Sequence, residues 1–182
     1  IMFGLNMVVA KGKTILSNCA IEPEIKDLVS FLKKMGCNIM WSSKRTVEIL
    51  GPAKIKKLKY QVMPDRIEAG TYLIAAALTE GKLRVTGINP KIINTEINIL
   101  KKIGAKIMIK NNEINIQGNK KIKNINISTS PYPGFPTDLQ AQIMVLLCKA
   151  NKKSCIKEEI FENRFMHVAE LNRMGAKISI VG

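Results

Sequence analysis

The residues of this chain best suited to chemistry fall in two short polar groups within residues 131–175. The first is Asp138, which follows Pro131, Pro133 and Pro136; the second is the run Glu162-Asn163-Arg164-Phe165-Met166-His167. The prolines forbid regular pairing or helix, so the chain must run extended as far as Thr137, whose hydroxyl is expected to cap a helix beginning at Asp138. Leu139, Ile143, Leu146 and Leu147 repeat at helical spacing and give that helix a buried face. A carboxylate in its first turn is ionised and aimed out of the helix end, where it can accept a proton or a hydroxyl hydrogen bond. The plainer reading is that Asp138 only complements the helix dipole.

The elements that must position these groups show up as an internal repeat. FLKKMGCNIMW, ILKKIGAKIMI and LNRMGAKISI each end a helical pattern at a glycine, and Gly36, Gly104 and Gly175 recur about every 70 residues. A glycine there marks the usual left-handed helix stop. The helices before them carry apolar stripes: Ile25, Leu28, Val29, Leu32 and Met35; then Ile93, Ile97, Leu100 and Ile103; then Val168, Leu171 and Met174.

After each glycine a strand-like alternation is expected. In the middle copy Ile107 and Ile109, Asn111-Asn112, and Ile114 and Ile116 read as a hairpin with a tight turn; in the first, Asn38 to Trp41 and Thr46 to Leu50 supply the same two strands. Upstream, LIAAALTEGKLRVTG is echoed by MVLLCKANKKSCIKE and, in shortened form, by GLNMVVAKGKTILSN. The spacing predicts an α/β (α+β) chain of βαβαββ units. The first unit is expected to lack its opening strand and most of its first helix, and the last to stop inside its terminal hairpin, so that the chain is a piece of something larger. The connection Gly51 to Tyr60, opened by Gly51-Pro52, is the expected domain boundary. It leads to Val62-Met63-Pro64-Asp65-Arg66, a strand-to-helix junction of the same design as Phe135-Pro136-Thr137-Asp138.

Composition narrows the class. Nearly half of the 182 residues are apolar, enough for a sizeable core. The apolar runs at Leu73 to Leu78 and Ile143 to Cys148 are far short of the roughly 20 residues a membrane helix needs, so no membrane association is expected. Cys19, Cys37, Cys148 and Cys155 form no CxxC pair, and with His167 as the single histidine no metal site is expected. Reduced thiols and the absence of a signal pattern suggest a cytoplasmic setting; Ile1 in place of methionine suggests missing upstream sequence. The net charge of +15 is the argument for a basic binding module, carried by Lys54 to Lys59 and Lys120 to Lys123. Only three tyrosines, one tryptophan and five phenylalanines are available for base stacking, so nucleic acid is not the expected partner.

PDRIEAGTYLIAAALTEGKL, PGFPTDLQAQIMVLL and FENRFMHVAELNRMGAKI resemble the corresponding stretches of the UDP-N-acetylglucosamine 1-carboxyvinyltransferase family of enolpyruvyl transferases. The resemblance runs nearly end to end. It implies an inside-out α/β barrel of repeated units, incomplete here at both ends, with residues 1–60 the tail of the first, catalytic-loop domain and 61–182 part of the second. It further implies transfer of enolpyruvyl from phosphoenolpyruvate to the 3-hydroxyl of UDP-N-acetylglucosamine, the first committed step of peptidoglycan synthesis, with no cofactor. Asp138 matches the aspartate that takes the hydroxyl proton, Ile160 a position whose backbone contacts the nucleotide sugar, with Phe161 packed beside it, and Arg164 an arginine facing the cleft.

The plainer readings make Ile160 and Phe161 core, Arg164 a partner of Glu162 or Glu170, and His167 a satisfied helix-start histidine. The family's reactive cysteine loop and phosphate-clamping arginines have no counterpart here; Cys148 and Cys155 are expected to be core thiols. Alone, the chain is expected to be inactive, with complementary pieces of the same enzyme as partners. A shikimate-pathway relative is the alternative within the same fold.

Overall fold

A helix that must turn back into a strand needs a stop, and the three repeat glycines supply the same one. In the computed structural model, which describes residues 6–181, Gly36, Gly104 and Gly175 have φ of +103°, +117° and +97°, a region closed to most side chains. The residue after each glycine donates its N–H to the carbonyl five positions back: Cys37 to Leu32, Ala105 to Leu100 and Ala176 to Leu171, each at 3.0 Å. The glycine N–H reaches the carbonyl three back, at 3.0 to 3.1 Å. These paired bonds satisfy carbonyls that the helix end leaves open.

The chain forms two compact units, Ile1–Met63 and Pro64–Gly182. In the first, strand β1 (Gly12–Leu16) precedes helix α1 (Pro23–Lys34), β2 (Asn38–Ser43) and β3 (Thr46–Gly51). The sheet runs β1-β3-β2, antiparallel throughout, with Gly12 opposite Gly51 and Asn38 opposite Leu50. Its core is Val8, Leu32, Cys37, Ile39, Val47 and Ile49; the rest of the α1 stripe is half-buried. Of the helix-like start GLNMVVAKGK, Gly4 and Leu5 lie outside the described residues. The connection after β3 is strapped back onto this unit: Tyr60 packs edge-on to Phe31 at 5.1 Å, and its hydroxyl donates to Asp27 Oδ1 at 2.9 Å.

The second unit repeats the pattern and carries it further. Helix α2 (Arg66–Leu78), β4 (Lys82–Val85), α3 (Asn94–Ile103, after a short 3-10 turn at Pro90–Ile93), β5 (Lys106–Lys110) and β6 (Glu113–Gln117) give a sheet in the same order, β4-β6-β5. The expected tight turn is present: Asn111 and Asn112 both have positive φ, at 49° and 59°, the geometry that matches strand twist in a two-residue hairpin. The α3 stripe is wholly buried, with Ile93, Ile97, Leu100 and Ile103 no more than 1% exposed. Burial of each such side chain contributes about 1.5–3 kcal/mol. The opening strand expected around Val62-Met63 is absent, because these residues find no pairing partner among the described residues.

The third copy starts with β7 (Asn126–Ser128), continues through a 3-10 turn (Thr137–Leu139), α4 (Gln140–Leu147), β8 (Cys155–Lys157) and α5 (His167–Arg173). β7 and β8 pair in parallel, Ile127 opposite Ile156, as a βαβ crossover requires. Residues 176–181 form no strand. Without a hairpin against α5, the expected stripe is only partly realised: Val168 is buried, but Met174 is 84% exposed.

Two further expectations are corrected. Cys148, in the turn leaving α4, and Cys155, on the outward side of β8, are both exposed thiols rather than core. Among the described residues no helix is long and apolar enough to cross a membrane, and no cluster of histidine, cysteine and carboxylate side chains could hold a metal ion.

Candidate functional site

Two segments of the second unit converge where the sequence placed its chemistry. The first is the turn of 3-10 helix at Thr137–Leu139, anchored by Leu139, which is fully buried. Gly70 of α2 permits that anchor: a Cβ there would stand 2.5 Å from Leu139 Cδ1. With Leu139 pointing inward, Asp138 beside it must point outward, and its side chain is 61% exposed.

The Thr137 cap expected from the sequence does not form. The turn is preceded by Pro136 with no side-chain cap, and Thr137 Oγ1 instead donates to Glu158 Oε2 at 2.8 Å. Thr137 is the first residue of the 3-10 turn and not the residue before it, and the oxygen that would accept a helix N–H in a cap faces Arg164 Nε instead.

The second segment is the turn from Glu158 through Arg164, which closes on the first. Arg164 Nη2 donates to Asp138 Oδ1 at 2.8 Å, and its Nε donates to Thr137 Oγ1 at 3.3 Å. The guanidinium carbon lies 5.2 Å from the centre of the Phe161 ring, within cation–π range. Neither Glu162 nor Glu170 is its partner; Glu170 pairs with Arg173 at 2.7 Å. Phe161 is 58% exposed, so the reading of it as core is also corrected. Ile160 is half-buried and is held by its N–H, which donates to Glu158 Oε1 at 2.9 Å. Asp138 and Phe161 are therefore each in reach of Arg164, and Ile160 is tethered in the same turn as Phe161. The Oδ2 oxygen of Asp138 has no partner among the described residues.

Glu158, which sequence reasoning passed over, is the hub. Its carboxylate accepts from Thr129 Oγ1 at 2.8 Å, Thr137 Oγ1 at 2.8 Å, Ile160 N at 2.9 Å and Phe161 N at 3.3 Å. Burial alone would push its carboxyl up, but the bonds from Thr137, Thr129 and the two backbone N–H groups outweigh burial and hold it below the ordinary value. The available signal was strand alternation: Ile156 and Glu158 face one way, Lys157 and Glu159 the other, so an acid falls on the inward side. His167 opens α5 with Nε2 buried and without a hydrogen-bond partner among the described residues, unlike the satisfied histidine expected; burial lowers its pKa from 6.5.

The chemical capacity of this arrangement is specific. An ionised carboxylate with one oxygen tied to a guanidinium and the other open can take a proton from a hydroxyl presented to it. The hollow lined by Lys91, Ile92, Asn94, Thr95, Glu96, Tyr132 and Pro133 contains none of the four predicted residues.

Comparison with known proteins sets this geometry in a family. Residues 4–182 match the family model described as EPSP synthase (3-phosphoshikimate 1-carboxyvinyltransferase). Among curated proteins, a UDP-N-acetylglucosamine 1-carboxyvinyltransferase of Pelagibacter ubique is 81% identical over 95% of this chain, and one of Geotalea uraniireducens is 49% identical over the same share. The chain spans 42% of the length of each. The solved enolpyruvyl transferase NikO from Streptomyces tendae superposes with a TM-score of 0.86 over 97% of this chain and 42% of its own, at 24% identity, which speaks to the fold. Sequence and fold agree, and the chain belongs to the EPSP synthase family of enolpyruvyl transferases.

Proposed function

We propose that this chain is part of an enzyme that moves enolpyruvyl from phosphoenolpyruvate to the 3-hydroxyl of UDP-N-acetylglucosamine, with Asp138 as the group that takes the hydroxyl proton. The observation that carries the reading is the state of Asp138: exposed, bound through Oδ1 to Arg164, and open at Oδ2. The 81% identity to a protein named for that nucleotide sugar supports the choice of acceptor. In the reaction the sugar O–H bond breaks toward Asp138 as the oxygen bonds to the substituted enol carbon, while the neighbouring methylene carbon takes up a proton from an acid on a complementary segment, giving a tetrahedral intermediate. Collapse of that intermediate breaks the carbon–oxygen bond to phosphate as the new methyl group gives up a proton, which restores the carbon–carbon double bond. The Ile160 backbone and the Phe161 ring shape the sugar side of the site, and Arg164 holds Asp138 in place.

In this reading the product feeds peptidoglycan synthesis and hence cell shape, in the cytoplasm. Residues 1–60 belong to one domain of the whole enzyme and 61–182 to the other. Complementary segments supply the acid and the phosphate clamp, so the chain alone is inactive. The test is a reconstruction in which residues 6–181 replace the matching segment of the Pelagibacter ubique relative. Phosphate release from phosphoenolpyruvate with UDP-N-acetylglucosamine, and none with shikimate 3-phosphate, is the expected result. Release with shikimate 3-phosphate alone, or with neither acceptor, overturns the reading.

A further inference from the structure

We infer that Glu158 is a positioning residue that sets the direction of a hydrogen-bonded relay ending on Asp138, and so fixes the geometry of the acid without touching substrate. The inference rests on the reading of Asp138 as the proton acceptor. Direction follows from donor and acceptor chemistry. Glu158 is held ionised, and an ionised carboxylate accepts only. The single hydroxyl proton of Thr137 is therefore committed to Glu158 Oε2, at 2.8 Å. What remains on Thr137 Oγ1 is lone-pair capacity, which faces Arg164 Nε at 3.3 Å. An arginine nitrogen only donates, so a hydroxyl pointing the other way would set two donors against each other. With Nε so engaged the planar guanidinium has one orientation, and that orientation delivers Nη2 to Asp138 Oδ1 at 2.8 Å.

The other oxygen of Glu158 repeats the device. Thr129 Oγ1, fully buried, donates to Oε1 at 2.8 Å and accepts from Glu159 N at 2.9 Å. Oε1 also accepts the N–H groups of Ile160 and Phe161. One carboxylate thus ties the end of β7, the turn carrying Asp138 and the turn carrying Phe161 and Arg164. Because it consumes the Ile160 and Phe161 N–H groups, the polar backbone group that Ile160 can offer a ligand is its carbonyl. That makes this edge of the site a reader of donors, such as a hydroxyl or an amide N–H.

Glu158→Gln keeps shape but replaces one acceptor oxygen with a donor, which must confront either Thr137 or the backbone N–H pair. Thr137→Val removes the relay hydroxyl at constant volume, and Thr137→Ser restores it. The first readout needs no activity: the NMR signal of the Arg164 Nε–H in the chain itself, expected to be protected from exchange in the native protein and in Thr137→Ser, and unprotected in Glu158→Gln and Thr137→Val. The second is kinetics in the reconstruction, with kcat expected to fall at least tenfold in both disrupting variants and to recover in Thr137→Ser. Thermal melts identify any variant that merely unfolds, in which case Thr137→Val decides. An Nε–H equally protected in all four proteins, or a kcat unchanged in Thr137→Val, overturns the inference. If the unsubstituted reconstruction releases no phosphate, the functional reading falls by itself and the NMR comparison still decides the relay.

Discussion

Two helix starts in the second unit share a design and spend their acids differently. At Pro64-Asp65-Arg66 the acid follows the proline directly, and Asp65 Oδ1 accepts from Ile67 N at 2.7 Å and Glu68 N at 3.1 Å. Its carboxylate is consumed by the helix it begins. At Pro136-Thr137-Asp138 one residue is inserted, the turn starts as 3-10, and Asp138 is carried past the capping position to a point where no backbone N–H claims it. The arginines differ in the same sense. Arg66 is 6% exposed and faces the buried Glu96 at 3.7 Å, whereas Arg164 sits at the surface on Asp138. A shift of one residue separates an acid that builds the fold from one left available for chemistry.

Substitutions at the two sites sharpen this contrast. The largest effect is expected for Asp138→Ala in the reconstruction, a loss of about 10²–10⁴ in kcat, the span of a general base. Its melting midpoint should stay close to that of the parent, because surface ion pairs contribute about 0–1 kcal/mol. Next comes Arg66→Ala, which removes the cation 3.7 Å from the buried Glu96, itself 3% exposed. Denaturant titration of the chain should show a loss of about 3–5 kcal/mol. Asp65→Ala should cost about 1 kcal/mol by the same titration, with Asp65→Asn retaining most of the stability and neither reducing turnover.

The smallest effect is one of pH. Burial lowers the pKa of His167 from 6.5, so the unfolded chain takes up the proton first as pH falls. Its contribution is constant above about pH 6.5 and is lost as pH drops from there toward the lower, folded value. The fall in stability between pH 7 and 5, followed by thermal melts, should be shallower in His167→Gln. Equal slopes would remove His167 from the account.

What the sequence made legible was local. The glycine stops at 36, 104 and 175 and the Asn111-Asn112 turn follow from backbone sterics that act within a few residues, and all four are present. The failures came from partners distant in the chain. Thr137 looked like a cap because a hydroxyl before a helix usually is one; its proton goes to a carboxylate 21 residues later and its oxygen accepts from Arg164, 27 residues later. Arg164 has acids nearby at 162 and 170, yet pairs with one 26 residues back, because the turn at Glu158 folds it over the start of α4. Met174 fits an apolar stripe, but a stripe is buried only where something covers it, and the segment after Gly175 forms no strand.

The division of labour between the two acids can be measured in one experiment: phosphate release and melting midpoint for Asp65→Ala and Asp138→Ala, side by side in the same reconstruction. Crossed effects are predicted, with Asp65→Ala less stable and fully active, and Asp138→Ala as stable as the parent and at most one hundredth as active. Turnover that survives at Asp138→Ala, or a loss of stability there as large as at Asp65→Ala, would contradict the claim that this carboxylate is held out of the fold for chemistry.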